Sequence, residues 1–128
     1  MKSIFKPGDK KECRRIVTAA DLAAFHGDLV HPVCATFALA RDFEWASRAF
    51  VLEMKDDHEE GVGTFLTVEH KGPAWVDDEI VFTATVIKIN GAEISCSITA
   101  TVDGKVVAKG ATGQKIMKKE NLKEIFKK

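Results

Sequence analysis

The sequence predicts an α+β domain: one long helix wrapped by an antiparallel sheet. Two observations predict it. From Cys34 to about Met54 the spacing is helical, and Leu39, Ala40, Phe43, Ala46, Ser47, Phe50, Val51 and Met54 fall on one broad face. After Gly61 the period drops to two, with Asn90-Gly91 and Asp103-Gly104 at the joins between alternating segments.

Residues 1–11 are polar, hold Pro7 and Gly8, and read as a loose lead-in. A short strand is expected around 12–18, followed by a helical turn and loop through "AADLAAFHGDLVHPV". On the long helix Arg41, Arg48 and Leu52 lie opposite the apolar face, and Trp45 points away from it, as an interface residue or a partly exposed one. The charged run "KDDHEEG" stops the helix.

"VGTFLTVEHKG" then reads as a strand with Thr64, Leu66, Val68 and His70 on one face. "DEIVFTATVIKI" and "AEISCSITATV" are the clearest strands, and the second sets Ile94, Cys96, Ile98 and Ala100 against Ser95, Ser97 and Thr99. Both Gly-containing pairs suit type I′ turns, so the four strands from 62 to 117 are expected to form a meander, with Gly110 and Gly113 permitting bulges in the last. "KENLKEIFKK" closes the chain as a short basic helix with Leu122, Ile125 and Phe126 on its apolar side. A helix with a single broad apolar face and one antiparallel sheet pack most simply with the sheet curled around the helix, and edge-to-edge pairing of two copies is a common way to cover a free strand.

A chain of 128 residues fits one domain, residues 1–128, and 45% hydrophobic with 30% charged residues is a globular composition. Nineteen basic residues balance nineteen acidic ones, so no long-range field draws the chain to nucleic acid or anionic membrane. No apolar run is long enough to span a bilayer and the N-terminus lacks a signal-peptide core, so a cytoplasmic protein is expected. Cys13, Cys34 and Cys96 are odd in number and far apart, which points to reduced thiols. His26, His31 and Cys34 have ligand-like spacing, but no second cluster completes a metal site, and none is expected. The lysines at 115, 118, 119, 123, 127 and 128 form a solvated face that could also attract a phosphorylated ligand.

Three polar residues can be brought to the start of the helix. Its first-turn N–H groups lack intrahelical acceptors and carry partial positive charge, so they can hold a carbonyl oxygen as it becomes negative. Thr36 lies in that turn, and Glu44 follows eight positions on, about 80° round the helix. His70 ends a strand face and can move a proton near neutral pH. Taken singly, Thr36 is a helix cap, Glu44 an ion-pair partner of Arg41 and Arg48, and His70 a polar residue at a strand end. Together they offer a hydroxyl, a carboxylate and an imidazole around a carbonyl, a set suited to acyl transfer.

"HPVCATFALARDFEWASR", "EEGVGTFLTVEHKGPA" and "TVIKINGAEISCSITATVDGKVVAKGATGQKIM" resemble the hotdog-fold acyl-CoA thioesterases, in particular the fluoroacetyl-CoA thioesterase-like group, over roughly residues 12–126. The resemblance implies a hotdog fold, a homodimer with active sites at the subunit interface, and hydrolysis of an acyl-CoA to free acid and CoA, with no cofactor beyond the CoA of the substrate. It implies catalytic roles for Thr36, Glu44 and His70, and a backbone close to the thioester at Gly63. Glu44 would be the nucleophile or the base for water, His70 the proton carrier, and Thr36 the positioning hydroxyl. That group closes its acyl pocket with an aromatic lid, whereas "AAFHGDLV" offers Phe25 and, beside His31, Val30. A short, medium or aryl acyl group is therefore as much expected as fluoroacetyl. Two rivals are a hotdog enoyl-CoA hydratase or dehydratase, for which Asp28 and His31 are two residues too close in sequence, and a non-catalytic acyl-CoA-binding dimer.

Overall fold

A computed structural model describes residues 1–128. The elements run β1 (Lys10–Ile16), a 3₁₀ turn (Ala19–Asp21), β2 (Leu22–Phe25), β3 (Asp28–Cys34), α1 (Thr36–Met54), β4 (Glu59–His70), β5 (Glu79–Asn90), β6 (Glu93–Val102), β7 (Lys105–Lys118) and α2 (Lys119–Ile125). A five-stranded antiparallel sheet of order β1-β5-β6-β7-β4 curls around α1, and β2 and β3 form a separate hairpin. No helix is long and apolar enough to cross a membrane.

The expected apolar face of α1 is the buried one, except that Ala40 is only half covered: Leu39, Phe43, Ala46, Ser47, Phe50, Val51 and Met54 are buried. They meet alternate residues of the concave sheet face, Ile80, Phe82, Ala84 and Val86 from β5 and Ile94, Cys96, Ile98 and Ala100 from β6. The Phe43 ring stands edge-on to Phe82, centroids 6.0 Å apart, at the centre of this layer. Burying a side chain of this size contributes about 2–3 kcal/mol, so α1 is held chiefly by packing. Burial also pushes the Cys34 thiol up to about 11 and Cys96 to about 12, leaving both protonated at neutral pH.

Several expectations need correction. The first strand begins at Lys10 and ends at Ile16, two residues earlier than the sequence pattern suggested. Residues 19–33, expected as a turn and loop, hold only one 3₁₀ turn before the β2–β3 hairpin, which reverses at His26 and Gly27 with φ of 53° and 82°, and Cys34, expected in the helix, ends β3. Two successive positive φ values make this a type I′ turn, and histidine is among the residues that tolerate it. The hairpin stands apart from the main sheet, pairs outside itself only through a Val33–Trp75 bridge, and carries two register shifts, so its residues never acquire the alternation that marks a strand.

The meander is real for β5, β6 and β7 but does not include β4, which lies on the far edge against β7. The segment 71–78 crosses from the β4 edge to the inner strand β5, tied down where the Cys34 N–H donates to the Ala74 carbonyl at 2.8 Å. Two glycines let β4 take its place. A Cβ on Gly110 would sit 1.8 Å from the Thr67 carbonyl oxygen, and one on Gly113 would strike the Phe65 ring. The β5–β6 turn falls on Gly91 and Ala92, one residue later than expected, with a positive φ only at Gly91, because a bulge at Ile87 adds a residue to β5. That is the signature of a type II′ turn, whereas Asp103-Gly104 is type I′ as expected. In α2 only Leu122 is buried, and Ile125 and Phe126 are exposed.

Candidate active site

The start of α1 is anchored by charge. Asp21, 4% exposed, accepts the Thr18 backbone N–H and hydroxyl at 2.9 and 3.1 Å and the Arg41 guanidinium at 3.1 Å. Burial alone would raise its carboxyl, but these donors outweigh it and hold the group below the ordinary range. Arg41 and Arg15 both also reach Asp42, and the Ala35 N–H donates to the Asp21 carbonyl at 2.7 Å. This network ties the 3₁₀ turn to the first turns of the helix and so orients the residues that follow Ala35.

Ala35, not Thr36, is the N-cap, and it makes no side-chain capping bond. The Thr36 hydroxyl instead lies 2.9 Å from Nδ1 of His70 at the end of β4. When the hydroxyl donates to Nδ1, the outer Nε2 carries the proton and can give it away. Beside this pair opens a cleft of about 530 Å³, walled mainly by Ala23, Phe25, Ala35, Phe37, Leu66 and Val68, with His31 on its rim.

Glu44 forms no ion pair. Arg41 is engaged by Asp21 and Asp42, and Arg48 by Glu60 at 2.9 Å. The carboxylate faces Gly63, where a Cβ would lie 2.9 Å from Oε1, and it opens into a second cleft of about 320 Å³ bounded by Trp45, Arg48, Gly61 and Gln114. Glu44 is thus close to Gly63 but not to the Thr36–His70 pair: eight residues of helix separate it from Thr36 by about 12 Å along the axis. Within one chain the four residues form two separate pairs, Thr36 with His70 and Glu44 with Gly63, each between α1 and β4.

One contributor was missed in the sequence. Gln114, 5% exposed, donates from Nε2 to Ser47 Oγ at 2.9 Å and more weakly to the Glu44 carbonyl at 3.5 Å, fixing the helix beneath the carboxylate. The available signal was a polar residue at an inward position of β7, between Thr112 and Ile116. Of the residues weighed for metal or hydratase chemistry, Cys34 is buried in the core and Asp28 sits exposed at the hairpin tip.

The comparisons with known proteins agree with this architecture. Residues 17–120 match the family described as FlK, fluoroacetyl-CoA-specific thioesterase. No curated protein matches the sequence. A hypothetical protein of Thermus thermophilus, TTHA0967, a thioesterase superfamily member, superposes with a TM-score of 0.90 at 25% identity, covering 94% of this chain and 90% of its own. The fluoroacetyl-CoA thioesterase FlK itself superposes at 0.85 with 18% identity, over 97% and 98% of the two chains, and a hot-dog-like protein from Thermanaerovibrio acidaminovorans at 0.87 with 19%, over 94% and 90%. The fold is the hotdog, and with the match spanning the helix and all but the first strand of the sheet, the chain belongs to the fluoroacetyl-CoA-specific thioesterase family and is a hydrolase of acyl-CoA thioesters.

Proposed function

We propose that hydrolysis takes place at a composite site between two copies of the chain, with Thr36 and His70 from one and Glu44 and Gly63 from the other, and that the acyl group is apolar and larger than acetyl. The observation that carries this reading is the free Glu44 carboxylate, set against Gly63 about 12 Å along α1 from the Thr36–His70 pair. The spacing of the two half-sites suits twofold symmetry. Ala40 lies midway between Thr36 and Glu44 on α1, and the Leu66–Thr67 peptide midway between Gly63 and His70 on β4. An axis through those midpoints sets each copy's Thr36–His70 pair beside the other copy's Glu44 and Gly63.

The two edges of the sheet support the same reading. Five of the seven β1 residues are charged, which deters pairing, whereas the β4 edge offers Val62, Phe65, Leu66 and Val68. Phe37 and Trp45, both 62% exposed, flank the α1 side of the same groove.

In this site Glu44 removes a proton from water as the oxygen attacks the thioester carbonyl carbon. The first-turn N–H groups of α1 stabilise the oxyanion, and collapse breaks the C–S bond while His70 protonates the departing thiolate; the proton taken up by Glu44 then restores His70, and the product acid ionises to solvent. Direct attack by Glu44 would pass through an anhydride and would carry isotopic oxygen from water into the carboxylate in a single turnover, which distinguishes the two routes. The cleft beside Thr36 is far larger than a two-carbon group needs and its walls are almost entirely apolar, which supports a medium-chain or aryl acyl group.

Mixing inactive variants tests the composite site. His70→Ala and Glu44→Gln proteins, each dead alone, recover about a quarter of wild-type thiol release once subunits exchange, because half the dimers are mixed and each carries one intact site. Absence of recovery, with exchange verified, would confine the site to one chain. A panel of acyl-CoAs tests acyl preference, and faster turnover of acetyl- than of hexanoyl- or phenylacetyl-CoA would overturn the size argument.

A further inference from the structure

Resting on the thioesterase reading, we propose that the phosphates of CoA bind at a basic cleft formed by Lys118, Lys119 and His58, at the end of the β4–β7 ladder beyond Glu44. The cleft measures about 320 Å³, with Glu120 as its fourth wall, and the Lys119 N–H donates to the His58 carbonyl at 2.8 Å, which holds the two segments together. Neither lysine has a carboxylate partner, whereas Arg15 on β1, Arg41 and Arg48 on α1 and Lys55 just past it are each engaged by aspartate or glutamate. Residues 115–128 hold six lysines against two glutamates in a chain of zero net charge. A phosphate is the anion that unpaired lysines at a cleft are best suited to hold.

The position suits the length of the ligand. Along the ladder Gly63 pairs with Gln114, Gly61 with Ile116 and Glu59 with Lys118, so the basic cleft lies four residues from the Glu44 half-site. At the rise of a strand that is about 13 Å. The pantetheine arm of CoA is equivalent to four or five residues of extended chain, a reach of roughly 15 Å. A thioester carbonyl beside Glu44 therefore delivers the pyrophosphate to Lys118 and Lys119. Gly61 and Gly63 line the cleft beside Glu44, on the route between the two sites. The acyl group leaves in the opposite direction, into the apolar cleft beside Thr36.

Calorimetric binding of CoA itself, alone and without turnover, tests this on the full chain. Lys118→Glu/Lys119→Glu should bind CoA at least about tenfold more weakly than wild type, the scale of losing one charge-assisted contact, and added salt should shrink the difference. Lys105→Glu/Lys109→Glu, with the same charge change at the other end of β7, should bind as wild type does. Kinetics supply a second readout: KM for an acyl-CoA rises with kcat unchanged, while the corresponding N-acetylcysteamine thioester, which has no phosphates, is hydrolysed equally well by both proteins. Unchanged CoA affinity in the first variant, or equal loss in both double variants, overturns the proposal. Normal CoA binding with no turnover of any thioester would count against the catalytic reading alone.

Discussion

Substituting Gly63 by alanine isolates the Glu44 carboxylate without threatening the fold. The new methyl would lie 2.9 Å from Glu44 Oε1 and 3.8 Å from its Cδ, with no other atom within 4 Å, and ordinary contact begins near 3.4 Å. The carboxylate must therefore retreat by about half an ångström, and the flexible end of a glutamate can do so at a cost below about 1 kcal/mol. The melting temperature should stay within about 5 °C of wild type. Catalysis is less tolerant: a misplacement of about 1 Å costs roughly a hundredfold, so half that displacement should lower kcat/KM by about tenfold. The assay is thiol release from an acyl-CoA, run also in a Glu44→Gln background. If Gly63→Ala acts through the carboxylate, it should add nothing there. Wild-type activity in the single variant, or the same loss repeated on Glu44→Gln, would refute the reasoning.

Thr36→Val removes the hydroxyl that meets His70 and should lower kcat by about ten- to a hundredfold, while Thr36→Ser should keep most of the rate; equal rates in both variants would deny the bond a role. Gly110→Ala has no comparable escape, since its Cβ would fall 1.8 Å from backbone, and a loss of more than about 3 kcal/mol is expected by urea denaturation. Asp21 supplies a pH test: its carboxyl is held below its unfolded value, so its contribution is complete above about pH 4 and lost as pH falls through the folded value. Asp21→Asn should therefore lower the melting temperature clearly at pH 6, with the gap narrowing towards pH 3.

The helix was legible because its signal is local and repeated. Leu39, Phe43, Phe50 and Met54 recur at one period over about four turns, and each must be buried for the others to be. β6 was legible for the same reason, alternating without interruption. The hairpin at 22–34 was not, since its pairing is irregular and lies outside the main sheet. The edge position of β4 was not either, because alternation reports which face of a strand is buried and says nothing of which strand lies alongside.

The candidate residues Thr36, Glu44 and His70 were likewise readable as residue types at meaningful spacings, and their helical and strand positions follow from periodicity, whereas Gly63 was singled out only by the family resemblance. Their grouping was not readable. Helical projection put Thr36 and Glu44 on nearby bearings but ignored the rise of about 12 Å between them. Only the packing of α1 against an edge strand joined Thr36 to His70 and Glu44 to Gly63, and left the two pairs apart. The sequence by itself determined the helix, the alternating strands and the chemical groups available, because these depend on neighbours a few residues away. The tertiary structure decided which strand lies at the open edge and which groups meet, because those depend on pairings across the whole chain that no local period encodes.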